Sequence, residues 1–153
     1  MKTAVVLFSG GLDSATTLYF AKKNGYRCLC LNFNYGQRHK KEILSAKKIA
    51  QAAKCPIEIV KFNLPWEGSA LLSKKTKLPL DYFKRHKKIP STYVPARNII
   101  FLSFALSYAE TVNAQAIFLG ANFIDYSGYP DCRPDFIDAF RNMALFGTKS
   151  GVE

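Results

Sequence analysis

Four cysteines (Cys28, Cys30, Cys55, Cys132) and two histidines (His39, His86) are present, with no CxxC pair and no histidine at ligand spacing to another candidate. That argues against a metal site or a disulfide framework, so buried or free thiols are expected and no metal ligand is assigned. A basic n-region followed by an apolar stretch is also missing at the start, so no secretory signal is expected. The most apolar helix candidate, residues 99–109, is interrupted by Ser103 and Ser107 and falls well short of the ~20 residues a membrane span needs. A soluble, cytoplasmic protein without a membrane partner is the expectation. Acidic residues are few: 11 Asp and Glu against 22 Lys and Arg, a formal charge of +11. Such an excess raises nucleic acid as a partner. Much of it is local, however: residues 73–88 carry seven Lys and Arg against Asp81, which reads as a solvated loop.

What is present reads as one domain. A composition 48% hydrophobic and 22% charged suits a globular chain long enough to bury a core. Residues 3–8 (TAVVLF) form an apolar run bounded by Ser-Gly-Gly, as in a strand covered on both faces. A helix over 14–23 follows, stopped at Asn24-Gly25, then a strand over 27–33. Residues 37–54 read as an amphipathic helix with Ile43, Leu44, Ala46, Ile49, Ala50 and Ala53 inward, and 56–62 as a third strand. The basic, proline-punctuated stretch 63–95 is expected to be a long loop with at most a short helix near 67–72. Then come a nearly all-apolar helix over 97–113, expected to be buried, a strand over 116–119, a loop over 121–133 and a helix over 134–146 opened by Pro134. The alternation predicts an α/β fold, a mostly parallel sheet sandwiched by helices with right-handed crossovers.

Ligands of open parallel sheets bind beyond the carboxyl ends of the strands. Three polar clusters fall there, residues 32–39, residues 120–133 and, the most informative, Ser9-Gly10-Gly11-Leu12-Asp13-Ser14. Two glycines let the backbone turn sharply and approach an anion, the following helix offers unpaired N–H groups, and the serines add hydroxyl donors. The loop lacks the Gly-Lys-Ser/Thr of a Walker loop and the GxGxxG of a dinucleotide site. A tight strand-to-helix turn is the plainer reading of Gly-Gly alone; the full hexapeptide after a buried first strand points to phosphate.

This hexapeptide resembles the loop of the N-type ATP pyrophosphatases, which cleave ATP between its α- and β-phosphates. Asn34-Tyr35-Gly36-Gln37-Arg38-His39, Val94-Pro95-Ala96-Arg97-Asn98 and Asp125-Tyr126-Ser127-Gly128-Tyr129-Pro130-Asp131-Cys132-Arg133 narrow the likeness. Together they resemble the 7-cyano-7-deazaguanine synthase family of queuosine biosynthesis, over essentially the whole chain. The resemblance implies the adenine-nucleotide alpha-hydrolase-like (PP-loop ATPase) fold, with residues 1–153 a single nucleotide-binding domain. It implies an ATP-dependent ligase that turns 7-carboxy-7-deazaguanine and ammonia into the nitrile through adenylated intermediates, with Mg²⁺ on the phosphates and a homo-oligomeric assembly. It also implies that intact members continue into a cysteine-rich zinc site, so this chain reads as C-terminally truncated, binding no stoichiometric zinc and of low activity. Asn34 stands where the family usually has Asp.

Carried over residue by residue, ATP contacts are expected from Phe8, Ser9, Gly10, Gly11, Leu12, Asp13, Ser14, Ala15, Thr16, Thr17 and Leu18, with Leu31 and Phe33 at the end of the second strand meeting adenine. The catalytic set is Asp13, Arg97 and Arg133. Asp13 stands either near Mg²⁺ or as a first-turn helix acid. Arg97 is a bidentate donor to phosphate or carboxylate by type, or half of a structural ion pair. Tyr126 and Tyr129 offer two flat faces for a bicyclic base, Asp131 an acceptor for a guanine-like edge, and Arg133 a partner for the substrate carboxylate; otherwise the four make an ordered turn. Two other functions compete: a tRNA-modifying ATP pyrophosphatase, and a regulatory protein that binds ATP without turnover.

Overall fold

The computed structural model describes residues 1–36, 40–64, 93–121, 129–149 and 152. Four parallel strands, β1 (Thr3–Leu7), β2 (Arg27–Asn34), β3 (Ile57–Lys61) and β4 (Ala116–Phe118), form one sheet in the order β3-β2-β1-β4. Val5 of β1 lies level with Leu29 of β2 and Ile117 of β4, and Cys30 of β2 with Ile57 of β3. The chain runs outward from β1 through β2 to β3, then returns to the other side of β1. The strand order therefore reverses beside β1, the place where such sheets open a crevice for ligands.

Helices α1 (Leu12–Lys23) and α2 (Lys40–Ala52) cover one face; α3 (Arg97–Thr111) and α4 (Pro134–Gly147) pack on the other. β1 is apolar from Ala4 to Leu7, where both of its faces are covered, and Ala4, Val5 and Val6 are wholly buried. Along α1 the inward stripe is Ser14, Leu18 and Ala21, one face of a 3.6-residue period. Cys28 and Cys30 share the α1/α2 side, as the two-residue period of a strand requires.

Two sequence expectations need correction. Leu44 is exposed rather than inward: two residues from Ala46 is about 200° around a helix, and Ala46, Ala50 and Ala53 hold the buried side. Helix α3 is not buried all round, since Ile99, Ser103, Phe104 and Ser107 are exposed and only Asn98, Leu102, Ala105, Leu106 and Ala109 are sunk. Ser103 Oγ donates to the Ile99 carbonyl at 2.8 Å and Thr111 Oγ1 to that of Ser107 at 2.9 Å, which lets hydroxyls sit within an apolar sequence. Helix α1 also begins at Leu12, so half of the glycine-serine hexapeptide is its first turn. Cys132 lies in a short 3-10 turn, Pro130–Cys132, inside the stretch read as loop. The expected helix near 67–72 and the basic run 73–88 lie outside the described residues.

Candidate nucleotide site

At the carboxyl ends of β1, β2 and β4 the chain encloses a cavity of about 330 Å³. Its near side is the β1–α1 turn. Gly10 has φ +87°, a left-handed conformation that glycine adopts freely. A side chain there would also collide with α2, because its Cβ would lie 2.6 Å from the Ala46 amide nitrogen. Ser45 Oγ donates to the Gly10 carbonyl at 3.2 Å, tying the loop to α2 a second time. Gly11 sits in extended backbone, where an added Cβ would meet only Ser9 Oγ at 3.5 Å. Its lack of a side chain leaves the approach to the helix open rather than meeting a packing need.

Donors converge on this turn. Gly10 N–H donates to Ser14 Oγ at 3.1 Å and Gly11 N–H to Ser9 Oγ at 3.3 Å; the two hydroxyls lie 3.1 Å apart. Ser14 is itself buried and donates to the Gly11 carbonyl at 3.0 Å. Among the described residues no side chain caps α1, so its first-turn N–H groups are left without an intrahelical partner at the positive end of the helix dipole. Thr16 and Thr17 turn their hydroxyls back to the carbonyls of Leu12 and Asp13.

The far wall is aromatic and cationic. Phe33 and Phe101 stack at 4.1 Å and 3°. Arg97, at the start of α3, reaches the cavity with its guanidinium 5.9 Å from the Phe101 ring centre and donates through Nη1 to Tyr35 Oη at 3.3 Å. Burial works against its charge, but Tyr35, with Asp131 and Tyr129 farther off, outweighs that and holds its pKa above the already high ordinary value. Among the described residues no carboxylate makes an ion pair with it; the one such pair is Arg141 with Asp138, on the surface. The guanidinium is half-buried and faces the cavity with donors to spare.

Of the expected ATP contacts, Phe8, Ser9, Gly11, Leu12, Asp13, Ser14 and Phe33 line this cavity. Gly10 shapes it from behind. Ala15, Thr16 and Thr17 continue along α1, while Leu18 and Leu31 belong to the hydrophobic cores. Arg97 joins Asp13 in the cavity; Arg133 is exposed at the N-terminus of α4. Tyr129 is half-buried, with its ring 6.1 Å from Tyr93, and Asp131 is buried against α3. Tyr126 lies outside the described residues, as do Gln37, Arg38 and His39.

Sequence reasoning placed the stretches that begin at Asn32 and Gly120 at the strand ends but gave neither residue a role of its own, gave Tyr35 none, and passed over Glu42 and Phe101; Asn32, Tyr35, Glu42, Phe101 and Gly120 all line the cavity. Asn32 carried a signal: it is a polar residue inside an apolar strand. Its Nδ2 donates to the Phe8 carbonyl at 2.7 Å, while its buried Oδ1 has no partner among the described residues. Gly120 carried none, because what demands glycine is the approach of α1, whose Thr17 Oγ1 would lie 2.7 Å from a Cβ.

Residues 3–153 match the queuosine biosynthesis protein QueC family. The chain is 54% identical to the 7-cyano-7-deazaguanine synthase of Acaryochloris marina over 98% of its own length and 67% of that relative. The enzyme of the same name from Clostridium kluyveri is 51% identical over 100% of this chain and 68% of its own. The chain thus spans about two thirds of the length of these curated relatives. Among solved structures, a 4-thiouridine synthetase in complex with RNA and ATP superposes over 79% of this chain and 30% of its own, with TM-score 0.50 and 23% identity. The U34-tRNA thiolase NcsA of Methanococcus maripaludis covers 82% and 43%, with TM-score 0.50 and 17% identity. At that identity the two structures speak for the shared fold alone.

Proposed function

Because the chain belongs to the queuosine biosynthesis protein QueC family, we propose that it catalyses the reaction of the 7-cyano-7-deazaguanine synthases it resembles, at the strand-end cavity. It is an ATP-dependent carbon–nitrogen ligase. A carboxylate becomes a nitrile only when both oxygens leave, and neither leaves unaided. ATP activates the carboxylate as an acyl adenylate, releasing pyrophosphate. Ammonia displaces AMP to give the amide, and a second adenylation carries off the remaining oxygen.

The observation that carries this reading is the pairing, across one cavity, of an open helix N-terminus with a half-buried arginine that makes no ion pair among the described residues. The α1 amides and the hydroxyls of Ser9 and Ser14 would take the departing pyrophosphate, exchanging bonds they now make among themselves. Arg97 would meet the α-phosphate as the carboxylate displaces pyrophosphate from it, and then the carbonyl oxygen, which gains charge as ammonia adds and before AMP departs. Both stabilise charge that is larger in the transition state than in the ground state, which is what raises turnover. Asp13 and Glu42 line the cavity beside the loop and fit a hydrated Mg²⁺ on the phosphates, a metal that needs only one or two protein carboxylates. Among the described residues no cluster of three His, Cys, Asp or Glu is present.

The deazapurine would lie toward Tyr129 and Arg133, with Phe33 and Phe101 as the apolar wall. No described helix is long and apolar enough to cross a membrane. A homo-oligomer fits the exposed Met143, Leu145 and Phe146 of α4, and sedimentation equilibrium of the purified chain reads it directly.

The test is Arg97→Ala assayed for pyrophosphate release with 7-carboxy-7-deazaguanine, ammonia and ATP. Turnover is expected to fall about a hundredfold or more, the scale set by removal of a preorganised charge-stabilising donor, with the fold retained in circular dichroism. Undiminished release from the variant would remove Arg97 from the chemistry. Pyrophosphate release indifferent to the deazapurine would point instead to a chain that handles ATP alone.

A further inference from the structure

We infer that Asp131 and Asn98 are positioning residues for Arg97, so that the Tyr-Pro-Asp-Cys turn acts on the phosphate end of the cavity through the N-terminus of α3. The inference rests on the role just given to Arg97.

Three hydrogen bonds join Asn98 to this one turn. Its backbone N–H donates to Asp131 Oδ2 at 2.8 Å, and its Nδ2 donates to the Asp131 carbonyl at 3.1 Å and to Cys132 Sγ at 3.1 Å. Asn98 is 9% exposed and Asp131 5%, so these bonds are made away from water, where breaking one leaves a stranded polar group. The cap of α3 explains the need. Its N-cap residue, Ala96, has no polar side chain, although the position favours Ser, Thr, Asp or Asn. Asp131 supplies the missing acceptor from 33 residues farther along the chain, and its charge faces the positive end of the α3 dipole.

Arg97 is the residue between Ala96 and Asn98. Ala96 itself holds φ +55°, a conformation an alanine leaves unless its surroundings fix it. With Asn98 clamped on one side and Tyr35 bonded to the guanidinium on the other, Arg97 has its backbone and its head held by separate anchors. Asp131 is absent from the cavity walls, and one of its carboxylate oxygens is engaged by the α3 amide. Its place is behind the arginine rather than against the substrate.

A double-mutant cycle tests this, with pyrophosphate release measured on the whole chain. Asp131→Ala is expected to lower kcat tenfold or more while the KM for 7-carboxy-7-deazaguanine moves less than threefold. Asp131→Asn, which keeps an acceptor for the Asn98 amide, is expected to regain most of that loss. Combining Asp131→Ala with Arg97→Ala should be no worse than Arg97→Ala alone, because the clamp has nothing left to place. Should Asp131→Ala fail to fold, Asn98→Ala removes the two Nδ2 bonds and leaves the backbone bond; the same non-additivity with Arg97→Ala is expected. A tenfold rise in KM at unchanged kcat would overturn the inference in favour of direct contact with the base. Fully additive losses would overturn it as well. If Arg97→Ala retained full turnover, the role of Arg97 would fail first and the clamp with it, an outcome the single variant reveals alone.

Discussion

On one face of the sheet Ala21, Ala46, Ala50, Ala53, Cys28 and Cys30 bring α1 and α2 close to β2, with Phe8, Leu18 and Phe118 beside them; on the other, Phe33, Phe62, Phe101, Phe136 and Phe140 predominate beneath α3 and α4, with Ala105, Ala109 and Ala144 among them. Small residues allow backbones to approach. That is why the α2 amide of Ala46 can stand where a Gly10 side chain would be, and why the β1–α1 turn is fixed by covalent geometry and close contact. Large rings keep helices at a distance and leave the end of the layer open. There α3 presents a long, half-buried arginine, and its first turn is clamped from outside by Asp131. One cavity is thus bounded by a rigid rim on the small-residue side and an adjustable one on the aromatic side. Polar groups follow the same division. Ser9 and Ser14 bond to each other at the cavity, whereas Asn98, which also lines it, spends its amide groups on the buried Asp131 turn.

Breaking the rigid rim should have the largest effect. Gly10→Ala must place a Cβ within 3 Å of three Ala46 atoms while holding φ +87°. The left-handed backbone costs roughly 1–2 kcal/mol and overpacking about 1–3 kcal/mol more. The variant is therefore expected to lose about 2–5 kcal/mol of stability in urea titration and to lose ATP binding with it. Full stability would mean that α2 moves aside easily and the rim is not rigid. Gly11→Ala sharpens the contrast within the same loop, because its Cβ finds only Ser9 Oγ at 3.5 Å. Stability should change by less than about 1 kcal/mol, as for a surface position, while ATP affinity falls about tenfold by calorimetry because the methyl group occupies the anion's path. Equal ATP affinity in a folded Gly11→Ala protein would show that phosphate does not approach there.

The small-residue face also makes a pH statement. Burial, with help from Cys55, pushes the Cys28 thiol up to about 11 and that of Cys30 to about 12, from an ordinary 9.0. A raised pKa on an acid favours its neutral form in the folded state. The stability tied to it is complete below about pH 9 and is lost as pH climbs from there toward 12, where the unfolded chain ionises first. Denaturation midpoints should hold steady up to about pH 9 and then decline, and the native thiols should resist alkylation at pH 8.5. Rapid labelling of both in the folded protein would contradict their burial.

The rigid rim was the part most legible in sequence, for a physical reason. Glycines, serines and a continuous apolar strand act locally, so Ser9, Gly11, Asp13 and Ser14 could be grouped at one strand-end turn, where they line the cavity, before any fold was known. The alternation of strands and helices carried the parallel layer in the same way. The aromatic side was less legible because its demands are long-range. Nothing near Gly120 in sequence says that α1 packs against it, and nothing near Asp131 says that an uncapped helix 33 residues earlier needs its carboxylate. Composition misled at α3, where an apolar sequence reads as all-round burial, yet Ile99 and Phe104 are more than a third exposed. A sheet covers only one side of a helix, and the remaining apolar residues take the outside.

The smallest expected effect lies on the adjustable rim, at Ala96. Its φ of +55° places a methyl group in the left-handed region, which costs a non-glycine residue roughly 1–2 kcal/mol, whereas glycine forfeits about 0.5–1 kcal/mol of chain entropy on ordering. Ala96→Gly should therefore gain between about 0 and 1.5 kcal/mol, a rise of a few degrees in melting temperature for a chain of this size. Function separates two versions of the aromatic rim. If Asp131 and Tyr35 alone aim Arg97, the relaxed backbone changes nothing and turnover stays within about twofold. If the alanine methyl group limits the swing of α3, glycine widens it, and kcat falls although the protein is more stable. A drop in both stability and kcat would fit neither, and would mean that Ala96 is not held in the left-handed conformation in solution. Amide exchange at Asn98 distinguishes the cases further. Its N–H is bonded to Asp131 in a buried site, so its protection should survive the substitution unless the clamp itself has loosened.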